Sequence, residues 1–271
     1  MNTSERHILG LSGGKDSTAL AILLRDEVPN MEYVFSDTKK ELPETYEYLD
    51  KVEAYLGKKI IRLNSEADFD HWLEVYGGYL PSSRMRWCTR MLKLRPFERY
   101  VGEDPVVNYV GIRADEPREG YVSTKPNIRS VFPFKERGLG KADVIRILEE
   151  SGVGIPSYYE WRSRSGCYFC FFQRREEWVG LLERHPDLFE AAKQYEKFDP
   201  ATGERYTWAT RESLEELAQP ERVAAIKAEA EKRKRQQAKA PKRHLPLYKL
   251  FSPADHEDTG EDEQPCLICQ L

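Results

Sequence analysis

A glycine-containing loop between a predicted strand and a predicted helix constrains this 271-residue chain more than any other feature. The apolar run at residues 6–11 predicts a buried strand, and the run at 18–26 has helical spacing. The loop between them reads Ser12-Gly13-Gly14-Lys15-Asp16-Ser17. Glycines let the backbone approach an anion, and the N–H groups at the start of a helix point toward it. The loop therefore predicts a phosphate-binding turn, although its spacing differs from G-x-x-x-x-G-K-[ST].

The side chains of this loop support the same interpretation. Lys15 adds positive charge, and Ser12 and Ser17 add hydroxyl donors. Asp16 would repel a bare phosphate, so it fits best beside a divalent metal ion or a ribose. An ordinary glycine-containing turn is the alternative, but six such residues in this context favour the phosphate site.

Alternating strands and helices continue along the chain to about residue 153. Further strands are predicted at 31–36, 58–64 and 106–113, and helices at 45–57, 68–78 and 141–152. Strands that alternate with helices imply an α/β fold with a parallel sheet and crossover connections. We predict an α/β domain over residues 1–153.

The remainder of the chain differs in composition. Residues 154–220 show no clear strand and predict a small helical lobe that carries a Cys-x-x-Cys pair. Residues 221–271 form a charged segment, first basic and then acidic, that predicts a mobile tail with a solvated or fraying helix. It also contains a second Cys-x-x-Cys pair.

The overall charge limits how nucleic acid would bind. Lys and Arg number 42 against 46 Asp and Glu, for a net charge of −4. Nucleic acid would therefore bind only through local basic patches. No apolar run reaches about 18 residues, which predicts no membrane span, and the first residues lack a signal peptide's long apolar segment. We expect a cytoplasmic protein without a membrane partner.

Several segments resemble known families. SGGKDS after the first strand resembles the PP-loop of the N-type ATP pyrophosphatases, which cleave ATP between the α- and β-phosphates and adenylate a substrate. Three later segments resemble the phosphoadenosine phosphosulfate (PAPS) reductase family within that superfamily. They are Ser36-Asp37-Thr38 with Leu42-Pro43-Glu44-Thr45, the stretch RWCTRMLK from Arg86 to Lys93, and the stretch GIRADE from Gly111 to Glu116. In order, these motifs cover about residues 8–175.

The resemblance implies a fold and a site. The fold is a Rossmann-like adenine nucleotide alpha hydrolase sheet with helices on both faces. The implied ATP-binding residues are Ser12, Gly13, Gly14, Lys15, Asp16, Ser17, Asp37 and Gly111. The implied catalytic residues are Lys15, Asp16, Ser17 and Arg113, with Mg²⁺ as the accompanying ion.

Two departures indicate the subfamily. PAPS reductases have a degraded loop and a catalytic cysteine in a C-terminal E-C-G-x-H segment, whereas this loop is intact and the chain reads QPCLICQL at its end. Reduction of a sulfonucleotide is therefore disfavoured. The chain looks most like the ATP pyrophosphatases of the Dnd and Ssp DNA-phosphorothioation systems. That resemblance implies a DNA substrate, a cysteine desulfurase as sulfur donor and other sulfur-transfer subunits as partners.

The cysteines suggest a metal centre. Cys88, Cys167 and Cys170 resemble the CC and CxxC segments that ligate [4Fe–4S] in sulfonucleotide reductases, with Trp87 in the place of one cysteine. Three thiolates with an open iron resemble the clusters of related transfer-RNA thiolases. Cys266 or Cys269 is the alternative fourth ligand. A zinc site formed by the two Cys-x-x-Cys pairs is the rival interpretation, and no metal is a third.

Basic residues flank both cysteine segments. A set in one predicted helix beside Cys88, and a second set around the Cys167 pair, suggest binding of a triphosphate or a nucleic-acid backbone, or else a solvated charged face. They are Arg84, Arg86, Arg90, Lys93 and Arg95 in the first set and Arg162, Arg164, Arg174 and Arg175 in the second.

Three acidic residues and one arginine complete the predicted site. Arg113 follows an apolar strand and is expected at its carboxyl end, where it would contact phosphate. Asp115 and Glu116 would hold Mg²⁺ or pair with Arg113, and pairing is favoured. Asp37 ends the second strand near the expected adenosine, or else caps the next helix.

Three functions remain open at this stage. The first is an enzyme that adenylates a DNA phosphate oxygen so that sulfur can displace AMP. The second is a sulfur transferase acting on transfer RNA or a small metabolite, with PAPS reduction as a further, disfavoured activity. The third is a regulatory subunit that binds ATP within a sulfur-transfer complex.

Overall fold

A computed structural model describes residues 5–117, 123, 125–198, 200 and 203–239. Its contacts divide the described chain into two compact units, one reaching Tyr168 and the other beginning at Phe169. The sequence assigns residues 154–168 to the helical lobe, whereas their contacts place them in the first unit. A tertiary contact contributes to this placement, because Tyr158 donates a hydrogen bond to the carbonyl of Gly13 at 2.7 Å.

The first unit contains a five-stranded sheet in which every pairing is parallel. Its strands are β1 (Arg6–Gly10), β2 (Glu32–Ser36), β3 (Ile60–Leu63), β4 (Val106–Tyr109) and β5 (Ile128–Val131). They lie in the order β3-β2-β1-β4-β5. The predicted Rossmann-like α/β fold is confirmed, and β5 is a strand that the sequence pattern did not predict.

Helices connect these strands. They are α1 (Lys15–Leu24), α2 (Pro43–Leu56), α3 (Phe69–Val75), α4 (Trp87–Thr89), α5 (Arg95–Val101), α6 (Pro133–Glu136) and α7 (Lys141–Glu150). The predicted end of α2 is confirmed, since Gly57 adopts the left-handed φ of 65° that a helix C-cap favours.

Apolar side chains cover both faces of the sheet. Successive residues of a strand point to opposite faces, so Leu9 joins the cluster that contains residues of α1, α2 and α7. Ile8 joins a second cluster that contains Phe97 and Val101 of α5. Helices therefore lie on both faces, as predicted.

The helix predicted around Cys88 is not continuous, which corrects the sequence interpretation. Arg84 and Arg86 precede α4, and a π-helical turn, Arg90–Leu94, separates α4 from α5. The turn is wider than an α-helical turn. The first basic set therefore does not lie in one regular α-helix, since Arg86 precedes α4 and Arg90 and Lys93 lie in the π-helical turn.

The second unit is mainly helical. Its elements are α8 (Arg175–Arg184), α9 (Pro186–Lys193), α10 (Leu214–Leu217), α11 (Pro220–Lys239) and a short antiparallel pair, β6 (Lys197–Phe198) and β7 (Arg205–Tyr206). The pair corrects the expectation that no strand occurs between 154 and 220. Trp178, Phe189 and Trp208 are buried in the core of the second unit. The Trp208 indole donates to the carbonyl of Ala192 at 2.9 Å.

Helix α11 covers the start of the segment assigned to the charged tail. It buries Ile226 and Ala230, and Arg233 forms an ion pair with Glu176 of α8. Residues 240–271, with Cys266 and Cys269, lie outside the described residues. Within the described chain, no helix is long and apolar enough to cross a membrane.

Candidate nucleotide site

The strand order determines where a ligand would bind in the first unit. The sheet reverses its winding direction between β1 and β4, and ligands of such sheets bind beyond the carboxyl ends of the strands at that point. The loop Ser12–Ser17 follows β1, and Gly111 and Arg113 follow β4. The topology therefore brings two predicted site segments, about 100 residues apart in sequence, to one edge.

Glycines are required where the loop turns. Gly13 has a φ of +70°, and a Cβ built on it would lie 2.6 Å from the Thr45 methyl group of α2. Gly111 also packs closely, since a Cβ there would lie 3.1 Å from the backbone oxygen of Asp16. Side chains at these positions would displace the loop from α2 and from the end of β4.

Serine hydroxyl groups form hydrogen bonds within the loop. The Ser17 hydroxyl donates to the carbonyl of Gly14 at 3.2 Å and accepts the backbone N–H of Ser12 at 3.2 Å. The hydroxyls of Ser12 and Ser17 lie 3.2 Å apart. Ser17 is thus a residue that shapes the turn, in addition to its predicted role toward ATP.

Charged groups converge at the start of α1. Asp16 accepts from Lys15 Nζ at 2.9 Å through one carboxylate oxygen and from Arg113 Nη1 at 2.8 Å through the other. Arg113 also contacts Asp115 at 2.9 Å and Glu116 at 2.8 Å. The predicted pairing of Asp115 and Glu116 with Arg113 is confirmed.

Lys15 remains positively charged in this setting. Burial alone would lower its pKa, but the neighbouring phenol of Tyr159 and the carboxylate of Asp16 raise the pKa above its usual value. The ammonium group lies 4.9 Å from the centre of the Tyr159 ring, within cation–π distance. Lys15 and Arg113 therefore place two cations beside the loop backbone.

Asp37 occupies the carboxyl end of β2 and is 3% exposed. It accepts the backbone N–H and the ammonium of Lys39 at 2.9 and 2.8 Å and the hydroxyl of Tyr46 at 2.8 Å. Burial would raise its pKa, but these three donors lower it overall. The residue at the N-cap of α2 is Leu42, so the helix-capping alternative for Asp37 is wrong.

Two residues of the site were not found by sequence reasoning. Tyr159 accepts the backbone N–H of Lys15 at 3.3 Å through its hydroxyl. Ser165 donates to the Ser12 hydroxyl at 3.1 Å. Both belong to the segment before Cys167, and no motif spacing connects that segment with the loop, so only the tertiary contact reveals them.

The described cysteines do not form a ready ligand set. The Cys167 thiol lies 3.2 Å from the Thr38 hydroxyl and 3.7 Å from a carboxylate oxygen of Glu41. Cys88 and Cys170 are half-buried and form no disulfide. Among the described residues, no group of three or more His, Cys, Asp or Glu is arranged to hold a metal ion. The [4Fe–4S] and zinc alternatives stay predictions, and no step below depends on them.

Comparison with known proteins defines the family. The family model described as the phosphoadenosine phosphosulfate reductase domain matches residues 6–168. The chain belongs to this family. A crystal structure of PAPS reductase from Candida auris in a phosphate complex is similar in fold, with a TM-score of 0.51 and 17% identity. The similarity covers 62% of this chain and 84% of that one.

Sequence relatives extend the match. An uncharacterised protein of Methanocaldococcus jannaschii is 29% identical over 197 residues, which is 68% of this chain but 40% of that protein. An uncharacterised 37.8 kDa protein of Escherichia phage 186 is 25% identical over 265 residues, covering 73% of this chain and 77% of that protein. The chain thus spans about two fifths of the length of the archaeal relative.

Proposed function

We propose that this chain is an ATP pyrophosphatase that adenylates a substrate oxygen so that sulfur can replace it. The observation that carries the proposal is the intact loop at the end of β1, where Lys15 and Arg113 converge on Asp16. Two cations and the N–H groups of a helix start suit a polyphosphate. The family membership supports a nucleotide ligand at this edge of the sheet.

The reaction has two steps. A substrate oxygen attacks the α-phosphorus of ATP, the bond from that phosphorus to the bridging oxygen breaks, and pyrophosphate leaves. A sulfur nucleophile then attacks the substrate, and AMP leaves with the original oxygen. Without adenylation that oxygen is a poor leaving group, so ATP cleavage provides the driving force.

The residues have distinct tasks in the first step. Lys15 and Arg113 stabilise the negative charge that develops on the leaving pyrophosphate. Asp16 suits Mg²⁺ that arrives with the nucleotide, because carboxylate and phosphate oxygens are the ligands that Mg²⁺ prefers. Asp115 and Glu116 hold the Arg113 guanidinium at the end of β4, so Arg113 is oriented before the nucleotide binds.

The substrate that we propose is the DNA backbone. This assignment is supported by the resemblance of RWCTRMLK and GIRADE to the Dnd and Ssp pyrophosphatases. A cysteine desulfurase would supply the sulfur, and other sulfur-transfer subunits would complete the system. Modification of transfer RNA or of a metabolite is the competing outcome of the experiment below.

Product analysis tests the ATP reaction. Purified protein with Mg²⁺ and ATP is expected to release AMP and pyrophosphate in the presence of the sulfur-acceptor substrate. Formation of ADP and orthophosphate would contradict the proposal. ATP binding without any turnover, in the presence of DNA and sulfur donor, would favour the regulatory subunit.

Mass spectrometry tests the substrate. DNA and transfer RNA from cells with and without the chain are digested with nucleases, and fragments are searched for the replacement of one oxygen by sulfur. The replacement is expected in DNA and is expected to disappear in cells that carry Lys15→Ala. Its appearance in transfer RNA alone would reject the DNA assignment.

A further inference from the structure

A segment far from the loop in sequence brings two hydroxyl groups to its surface. The Tyr159 hydroxyl lies 3.3 Å from the backbone nitrogen of Lys15, and Ser165 Oγ lies 3.1 Å from Ser12 Oγ. A Cβ built on Gly14 would lie 2.8 Å from Ser165 Oγ and 3.2 Å from the Tyr159 oxygen. The hydroxyls therefore lie against the same glycine of the loop.

The two hydroxyl groups lie where the side chain of a helix N-cap residue would otherwise lie. Gly14 is the N-cap of α1 and has no side chain to satisfy the first N–H groups of the helix. The Tyr159 hydroxyl, 144 residues later in the chain, accepts one of them. A neutral hydroxyl thus sits where the helix start presents its positive end.

We propose that Tyr159 and Ser165 bind a phosphate group of the nucleotide and complete the cradle formed by the loop. This inference rests on the proposed function for the identity of the ligand as a nucleotide. It extends that function by assigning two phosphate-binding residues outside the loop. The ligand chemistry is a polyphosphate, either ATP or free pyrophosphate.

The chemistry of the phenol suits this role. A tyrosine hydroxyl can accept one hydrogen bond and donate another, so Tyr159 can accept from Lys15 N–H and still donate its proton to a phosphate oxygen. Burial raises the pKa of Tyr159, partly opposed by the Lys15 charge, and the net direction keeps the phenol protonated. Its ring also lies beneath the Lys15 ammonium.

Tyr159→Phe isolates the hydroxyl, because the ring that contacts Lys15 stays in place. A matched control is Tyr109→Phe, which removes another half-buried hydroxyl of the same unit that lies 2.9 Å from His7 Nδ1. Binding of ATP, pyrophosphate and adenosine is measured by calorimetry. We expect Tyr159→Phe to weaken ATP and pyrophosphate about tenfold, as for a lost hydrogen bond to a charged group. Adenosine binding and the control variant are expected to match wild type.

Other results would reject the inference. Unchanged affinity for pyrophosphate in Tyr159→Phe would mean that the hydroxyl does not touch phosphate. Tighter binding would mean that the hydroxyl blocks the cradle instead of completing it. If Tyr159→Phe does not fold, as judged by thermal unfolding, Ser165→Ala replaces it, with about fivefold weaker binding expected and wild-type affinity as the contradicting result.

The same measurements separate this inference from the proposed function. Wild-type protein that binds pyrophosphate, loses affinity in Tyr159→Phe and yet never cleaves ATP would reject the pyrophosphatase proposal and retain the phosphate-binding residues. ATP cleavage with unchanged binding in Tyr159→Phe would do the reverse. Wild-type protein that binds neither polyphosphate would reject both.

Discussion

The charged cluster around Arg113 in the first unit differs in exposure from the surface ion pairs of the second unit. In the first unit, Arg113 is 14% exposed and contacts three carboxylates contributed by a loop and by its own strand end. In the second unit, pairs such as Arg205–Glu216 and Lys227–Glu183 are about half exposed on both sides. Exposed pairs contribute little to stability, whereas partly buried charges must be held in place by their surroundings. The comparison therefore separates the candidate site from a solvated surface.

The cores show the complementary difference. The first unit builds its core on both faces of a sheet, which leaves the carboxyl ends of the strands for polar residues. The second unit encloses aromatic side chains, with Phe169 stacked on Trp208 at 5.0 Å between ring centres. Phe169, which lies between Cys167 and Cys170, is thus a core residue of the second unit. Changes at the strand ends of the first unit should affect chemistry, and changes in the core of the second unit should affect stability.

The largest effect is expected for Lys15→Ala. Loss of a cation beside the transferring phosphates should lower kcat/KM for pyrophosphate release by about 10³-fold, in the range of a lost transition-state contact. Lys227→Ala removes a lysine from an exposed pair of the second unit and serves as the control. Similar losses in both variants would break the distinction between the units. Steady-state pyrophosphate release provides the measurement.

Leu217→Ala should have a large effect on stability and little effect on ATP binding. Leu217 is fully buried in the second unit, so its truncation should lower the free energy of unfolding by about 3 kcal/mol. Urea unfolding followed by circular dichroism measures that loss. The Kd for ATP, measured well below the unfolding midpoint, is expected to stay at the wild-type value. A large increase in Kd would show that the nucleotide site depends on the second unit.

Arg113→Lys tests the geometry of the charged cluster. Lysine keeps the positive charge but cannot contact several carboxylates with a planar fork. We expect kcat/KM to fall about tenfold, with a smaller change in KM than in kcat because orientation is lost more than attraction. An unchanged rate would indicate that only net charge matters at the end of β4.

Acid sensitivity gives the smallest effect. Asp37 and Glu216 both have lowered pKa values, Asp37 through Lys39 and Tyr46 against the opposing effect of burial, and Glu216 to about 2 through the Ser213 backbone N–H and Arg205. A lowered pKa stabilises the fold above the unfolded value, and this stability is lost as pH falls through the folded value. For these groups the loss begins near the ordinary values of 3.8 and 4.5 and continues below them.

Asp37→Asn and Glu216→Gln should each reduce the difference between urea midpoints at about pH 7 and about pH 3. Salt at about 0.5 M should weaken the Arg205–Glu216 interaction and so reduce the change caused by Glu216→Gln. It should leave most of the change caused by Asp37→Asn, because Asp37 is buried. Equal salt sensitivity at both positions would contradict the contrast between the units.

Local sequence patterns predicted the sheet and the loop well. The run before Ser12 correctly placed the loop after β1, but the helix begins at Lys15 and not at the predicted residue 18, so the second half of the predicted loop forms the first turn of α1. The polar residues of that turn hid the start of the helix from a reading of apolar periodicity. Arg113 was placed at the same edge by the rule for parallel sheets, and Gly111 was implied by the family resemblance. Tyr159 and Ser165 were missed because their role arises only from a contact across the fold.

The cysteine prediction likewise depends on contacts between segments that are distant in sequence. A ligand set drawn from Cys88, Cys167 and Cys170 requires distant segments to converge, and spacing along the chain does not define that geometry. The π-helical turn beside Cys88 was also unpredicted, since its residues have an ordinary helical pattern. Metal analysis of anaerobically purified protein would decide between the iron, zinc and metal-free alternatives.

The π-helical turn at Arg90–Leu94 has a consequence for how this chain can vary in length. Such a turn holds one residue more than an α-helical turn, and each residue of an α-helix advances by about 100°. Deleting one residue from the turn would restore a regular helix and leave Cys88 in nearly the same direction relative to the buried Phe97 of α5, because the wide turn holds its extra residue without the usual advance of about 100°. A homologue one residue shorter in this turn would therefore keep its cysteine among the same neighbours, whereas the same deletion in the α-helical part would rotate the cysteine by about 100°.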